Sequence, residues 1–201
     1  VYLEGTHSFV NQGSATNDNL SANKGGEAVH SPFPSGISGL KLWLDAADSS
    51  TITKDGSNKD SQWSDKSGNS KHATQGTSSS QPTTNTSNRN GLNVLDFSSD
   101  FLVSPININR STMPDLSIFT VFAIKSTTGD GFLFGQDNNG WDRVAALQRG
   151  DTSTQWGIAN ASGTIPFTPS RTPDLNYHVL SVVLDTGVSN GSLVSLDGAS
   201  P

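Results

Sequence analysis

The chain has 201 residues, 32% of them hydrophobic and 15% charged, with a formal net charge of −6. That length fits one all-β domain. The absence of any Lys/Arg run excludes binding through a nucleic-acid backbone, and the absence of cysteine excludes disulfide scaffolds, thiol nucleophiles and thiolate zinc sites.

Residues 1–36 include "NQGSATNDNLSANKGGEAVHSPFPSG", where Gly, Ser, Asn and Pro leave almost no apolar period. This composition predicts an N-terminal linker or surface arm over 1–36, with the folded domain over 37–201. A start at Val1 rather than Met is expected of a processed or excised piece. No stretch has the length of a membrane span, and none reads as a signal peptide, so no membrane insertion is expected.

From Leu40 the pattern changes. "LKLWLD" alternates Leu40, Leu42 and Leu44 against Trp43, as a strand covered on both faces would. Residues 50–90 are polar throughout and read as a long excursion pinned by Trp63. Further strands are predicted at 92–97, 100–105, 116–125, 131–136, 142–149, 154–160, 177–185 and 191–198. Each is rich in Val, Ile, Leu or Phe and bounded by Gly, Asn, Asp or Ser. Helical signals are nearly absent. Many short strands with turn punctuation predict two packed antiparallel sheets, a sandwich or jelly roll.

The words "GLKLWLDAADSSTI", "QWSDKSGNSKHATQ", "QPTT", "NGLNVLDF" and "DFL" follow one another in that order. Together they resemble the laminin-G-like, concanavalin A-like jelly-roll domains of bacterial surface proteins, from about Gly39 to Gly198 and most strongly over 39–103. The resemblance implies an extracellular or cell-surface setting. It also implies strands beyond "HVLSVVLDTGVSNGSLVSLDG". With the chain ending at Pro201, completion of the sheets by another segment or another chain is expected. The superfold hosts lectins, hydrolases, lyases and structural modules, so it does not by itself choose a function.

Glycosidases on such a fold use paired carboxylates, but the two glutamates, Glu4 and Glu27, both fall within the arm. No enzymatic activity is expected. "GVSNG" at 187–191 matches the spelling of a nucleophile elbow, yet strands are predicted on both sides of it, where the elbow needs a strand and then a helix. The histidines at 7, 30, 72 and 178 share no metal-ligand spacing, and structural roles are expected for His72 and His178.

Calcium is the candidate cofactor, because clustered Asp and Asn side chains with loop carbonyls suit a hard cation. Asp45, Asp48, Asp65 and Asn69 form one cluster, for which turn-stabilising roles are favoured. The second, Asp130, Asp137, Asn139 and Asp142, is the expected metal set. A sugar needs a flat ring for stacking and planar amides or carboxylates for its hydroxyls. "DNNGWDR" offers Asp137, Asn138, Asn139, Trp141 and Arg143 in one polar turn, with Trp156 on a neighbouring strand.

The leading expectation is a non-catalytic recognition or adhesion module that binds a glycan or a cell-surface partner. The alternative is a structural subunit or exposed domain of a pilus-like surface appendage, in which the arm and an open sheet edge mediate homo-assembly.

Overall fold

The computed structural model describes residues 2–3, 34, 37–127, 131–136, 143–148, 157–160, 163–166, 174–184 and 193–199. Among these residues there is no α-helix, every strand pairing is antiparallel, and the protein is all-β as its turn punctuation predicts.

In chain order the strands are β1 (Tyr2–Leu3), β2 (Ile52–Lys54), β3 (Asp60–Trp63), β4 (Ala73–Thr74), β5 (Asn88–Arg89), β6 (Leu92–Asn93) and β7 (Leu102–Val103). They continue as β8 (Leu116–Phe122), β9 (Gly131–Gln136), β10 (Arg143–Gln148), β11 (Gly157–Asn160), β12 (Gly163–Pro166), β13 (His178–Leu184) and β14 (Leu193–Leu196). Nine strands form one sheet in the order β12-β11-β10-β9-β1-β7-β4-β3-β2, and three form a second in the order β14-β13-β8. β5 and β6 make a separate hairpin. Its two-residue turn, Asn90 (φ 52°) and Gly91 (φ 78°), has the left-handed backbone at both positions that matches the twist of a tight hairpin.

The three-stranded sheet shows how the sequence selects its register. β8 reads Leu-Ser-Ile-Phe-Thr-Val-Phe and β13 reads His-Val-Leu-Ser-Val-Val-Leu. Pairing Phe122 with His178, Thr120 with Leu180 and Ile118 with Val182 puts one side-chain set inward. A slip of one residue would turn every one of these side chains outward, so burial fixes the register. The inward set joins Trp63, Ala73, Leu95 and Leu102 with Leu133 and Phe134 of β9 and Leu196 of β14. One apolar core therefore draws on both large sheets.

The structure places one short strand within the expected arm and departs from the sequence reading in two further places. Tyr2 and Leu3, within the expected arm, pair with β7 on one side and β9 on the other, so the nine-stranded sheet runs through them. Residues 40–44, expected as a strand, lie outside any ladder. Their backbone is held instead by side chains of the 65–69 turn. The polar stretch 50–90 is not an excursion: it supplies β2 to β5 and the 3-10 turns Ser49–Thr51 and Ser78–Ser80. Hydrophobic alternation could not reveal these strands, because two to four residues are too few to carry a period.

Trp63 is fully buried, pairing with Ile52 on one side and Ala73 on the other. Trp63→Ala is expected to cost about 4 kcal/mol of folding free energy through lost burial and an unfilled cavity. Urea denaturation at neutral pH measures it.

Candidate functional site

The turn after β3 is built around one acid. Asp65 Oδ1 accepts the backbone N–H groups of Trp43 (3.0 Å) and Ser67 (2.8 Å). Its Oδ2 accepts the N–H of Lys71 (2.9 Å) and the hydroxyl of Ser67 (2.8 Å). Burial pushes the Asp65 carboxyl up, but the donors from Trp43, Lys71 and Ser67 outweigh it and hold the group below 3.8. The Asp65 N–H in turn donates to His72 Nδ1 at 3.0 Å, which leaves the ring proton of a neutral His72 on Nε2.

The rest of the turn fastens residues 40–43. Asn69 Nδ2 donates to the Leu40 carbonyl at 2.9 Å and the Lys41 carbonyl at 3.3 Å, while Lys66 N–H donates to the Trp43 carbonyl at 2.8 Å. Gly68 (φ 86°) makes the reversal, in a left-handed backbone that other residues rarely adopt. Trp63 pins this stretch to the core and Asp65 and Asn69 stabilise its turn, the roles that the sequence suggested.

Asp45 and Asp48 are also committed internally. Lys66 Nζ lies 2.9 Å from Asp45 Oδ2 and 2.8 Å from Asp48 Oδ2, and 4.5 Å above the Trp43 ring. Hydrogen bonds from Lys66 and Ser50 hold Asp48 below the usual carboxylate range. Burial pulls the Lys66 ammonium down, and the bonds to Asp48 and Asp45 more than restore it, so its value is raised. In the Asp45, Asp48, Asp65 and Asn69 cluster, a lysine ammonium and backbone amides occupy the oxygens that a calcium ion would need. Among the described residues no group of three or more His, Asp or Glu side chains is arranged to hold a metal ion.

At the far end of the three-stranded sheet, His178 is buried with a carboxylate on each ring nitrogen. Nδ1 is 2.8 Å from Asp197 Oδ2 and Nε2 is 3.0 Å from Asp174 Oδ1. Asp174 is held low, first by the Asn176 N–H and then by His178. Asp197 also accepts the Val179 N–H, so the contact ties the turn after β14 to the start of β13. Beside it, Arg89 of the β5–β6 hairpin stacks 5.0 Å from the Tyr177 ring centre.

Of the expected ligand-binding residues, Asp137, Asn138, Asn139, Trp141 and Trp156 lie outside the described residues, as do Asp130 and Asp142 of the expected metal set. The frame around them is described. β9 ends at Gln136 and β10 begins at Arg143, and these two residues pair, so 137–142 connects adjacent antiparallel strands. Arg143 also pairs with Asn160 of β11. Gly157, which follows Trp156, begins β11 three residues from Asn160, about 10 Å along the strand. Residues 187–191, with the elbow-like spelling, lie outside the described residues between the antiparallel partners β13 and β14.

The chain matches no family model, and no curated protein or solved structure is similar enough to carry a comparison.

Asp65→Asn replaces an acceptor with a donor facing backbone N–H groups. Because the folded carboxyl is held below 3.8, its contribution is present above that pH and is lost as pH falls through the folded value. The variant is expected to be less stable at pH 7 by on the order of 2 kcal/mol. Denaturation curves at about pH 7 and about pH 3 should show the gap to the parent protein narrowing at the lower pH.

Proposed function

We propose that this protein is a laminin-G-like or concanavalin A-like jelly-roll module acting as a non-catalytic recognition or adhesion domain at a bacterial cell surface. The reading rests on the resemblance over residues 39–198 and on two antiparallel sheets that share one core. One observation carries the choice of site. β9 ends at Gln136 and β10 begins at its partner Arg143, so the sequence "DNNGWD", an aromatic between acids and amides, joins two adjacent antiparallel strands.

A pyranose has an apolar face that stacks on an indole and hydroxyls that pair with planar amides and carboxylates. Trp141 would offer the stacking face; Asp137, Asn138, Asn139 and Arg143 would take hydroxyls, and Trp156 would widen the site. Calcium would be held by Asp137, Asn139 and Asp142, oxygen donors of the same connection, whereas Asp130 of the expected set precedes β9 at its other end, roughly 17 Å along the strand from Gln136. No step of bond making or breaking belongs to this reading.

A glycan array probed with and without EDTA tests it. The expected result is a sugar-specific signal that Trp141→Ala reduces at least tenfold, the loss of about 1.4 kcal/mol expected when a stacking ring is removed. EDTA lowers the signal if the calcium part holds. No signal in either condition would overturn the glycan reading.

The alternative is a structural module of a surface appendage. It is favoured by β14, an edge strand of the three-stranded sheet, and by Phe119 (49% exposed), Val179 and Leu193 on the outer face of that sheet. Concentration-dependent self-association in sedimentation experiments, weakened by Phe119→Ser, is its expected signature. A monomer over the whole concentration range would remove it.

A further inference from the structure

Asp60 is a charged residue type placed where a charge is costly. It opens β3 opposite Lys54 of β2, beside a register shift between Thr53 and Lys54. It is 0% exposed, and neither carboxylate oxygen has a hydrogen-bond partner among the described residues. Its backbone explains the burial. The Asp60 N–H donates to the Pro82 carbonyl at 2.9 Å and the Thr84 N–H to the Asn58 carbonyl at 3.1 Å, around the bridge between Lys59 and Thr83. Thr83 bridges Asp96 on its other side. Alternation then places Lys59, Thr83 and Asp96 on one face and Asp60 on the other, with buried Pro82 and Thr84.

The charged groups near Asp60 can be named element by element. From β2 comes Lys54, whose Nζ is 2.7 Å from Asn58 Oδ1, and from the turn beyond it comes Asp55. On its own chain segment is Lys59, whose Nζ is 2.8 Å from the Gln81 carbonyl and 4.0 Å from Asp100 Oδ1. Residues 81–84 bring no ionisable group. Asp96, on the opposite face, is paired with Lys125. Both nearby lysines are therefore engaged elsewhere, and among the described residues no cation is paired with Asp60 inside the core.

We propose that Asp60 is a proton-operated latch on the β2–β3 hairpin. As a neutral acid it stays in the core and holds the hairpin shut; as a carboxylate it turns outward to Lys54 and Lys59 and loosens the 55–60 turn. That turn is suited to the movement. Asn58 has a left-handed backbone (φ 60°), and the turn is held by Asp55 Oδ1 bonds to the N–H groups of Ser57 (2.8 Å) and Lys59 (2.9 Å), all at the surface.

The pH window follows from the burial. Loss of hydration pushes the carboxyl from 3.8 up to about 7, Lys54 and Lys59 pulling it down and Asp55 adding to the rise. The folded value lies above the unfolded one, so the stabilisation is complete below 3.8 and fades as pH rises to about 7. This latch tightens on mild acidification, opposite in sense to Asp65.

Carbon-13 NMR of the aspartate carboxyls in the intact chain between about pH 3 and 9 tests it directly. Asp60 is expected to titrate with a midpoint near 7, and the amides of Asp55, Lys59, Asp60 and Thr84 to shift with the same midpoint. In Asp60→Asn those amides are expected to lose that transition and stay at their acid-form positions. An Asp60 midpoint below about 5 would overturn the proposal, as would amides that ignore the Asp60 titration or a transition that survives in Asp60→Asn. The wild-type titration decides the question even where the variant fails to fold.

Discussion

A carboxylate leaves water only when donors replace its hydration, and Asp65 collects backbone donors from Trp43, Ser67 and Lys71 and a hydroxyl from Ser67. Much of the first half of the chain depends on that replacement. The clamp sets the position of residues 40–43, which have no ladder of their own, and through His72 it sets the return into β4. β4 in turn pairs with β3 and β7. Trp63 enters the core on the strand that leads into the clamp, so hydrophobic burial and ionic satisfaction act on adjacent residues.

Lys66 solves a different problem nearby. Asp45 and Asp48 approach each other at the head of the 3-10 turn, where Asp48 already caps the Ser50 N–H. Two carboxylates close together repel unless a cation lies between them. The ammonium supplied by the same chain does this, with its charge also over the Trp43 face. A sequence rich in acidic and amide side chains can thus look like an ion site while being internally neutralised.

The legible part of the sequence was that governed by alternation and by turn chemistry. β8 and β13 were visible because apolar residues alternate over seven positions, and β9 and β14 because Val, Leu and Phe are concentrated between turn residues. Asp65 and Asn69 were visible because Asx bonding in turns restricts residue choice. β1 was invisible, since two residues carry no period, and the strand character of 50–90 was masked by its polarity. Asp60 was missed for a sharper reason. Local sequence marks an aspartate that follows Lys59 in a run of Ser, Asn, Gly and Asp as a surface residue, and only the pairing with 82–84 turns it into the core. The His178 contact was half legible, since its carboxylates come from positions 174 and 197 on separate segments.

β1 carries a consequence for how the chain reaches this structure. Tyr2 pairs with Val103 and with Gly135, and Leu3 with Leu102 and Phe134, so the junction between β7 and β9 is filled by residues 99 to 133 positions away in sequence. Closing loops of that size costs entropy before any contact repays it, which slows folding in proportion to how non-local the contacts are. The hairpins β2–β3, β10–β11 and β11–β12 can form from neighbours in sequence. The joint between β7 and β9 cannot, and segments emerging early in synthesis must wait for strands made much later. Assembly order and chain order therefore run in opposite directions at the middle of the large sheet.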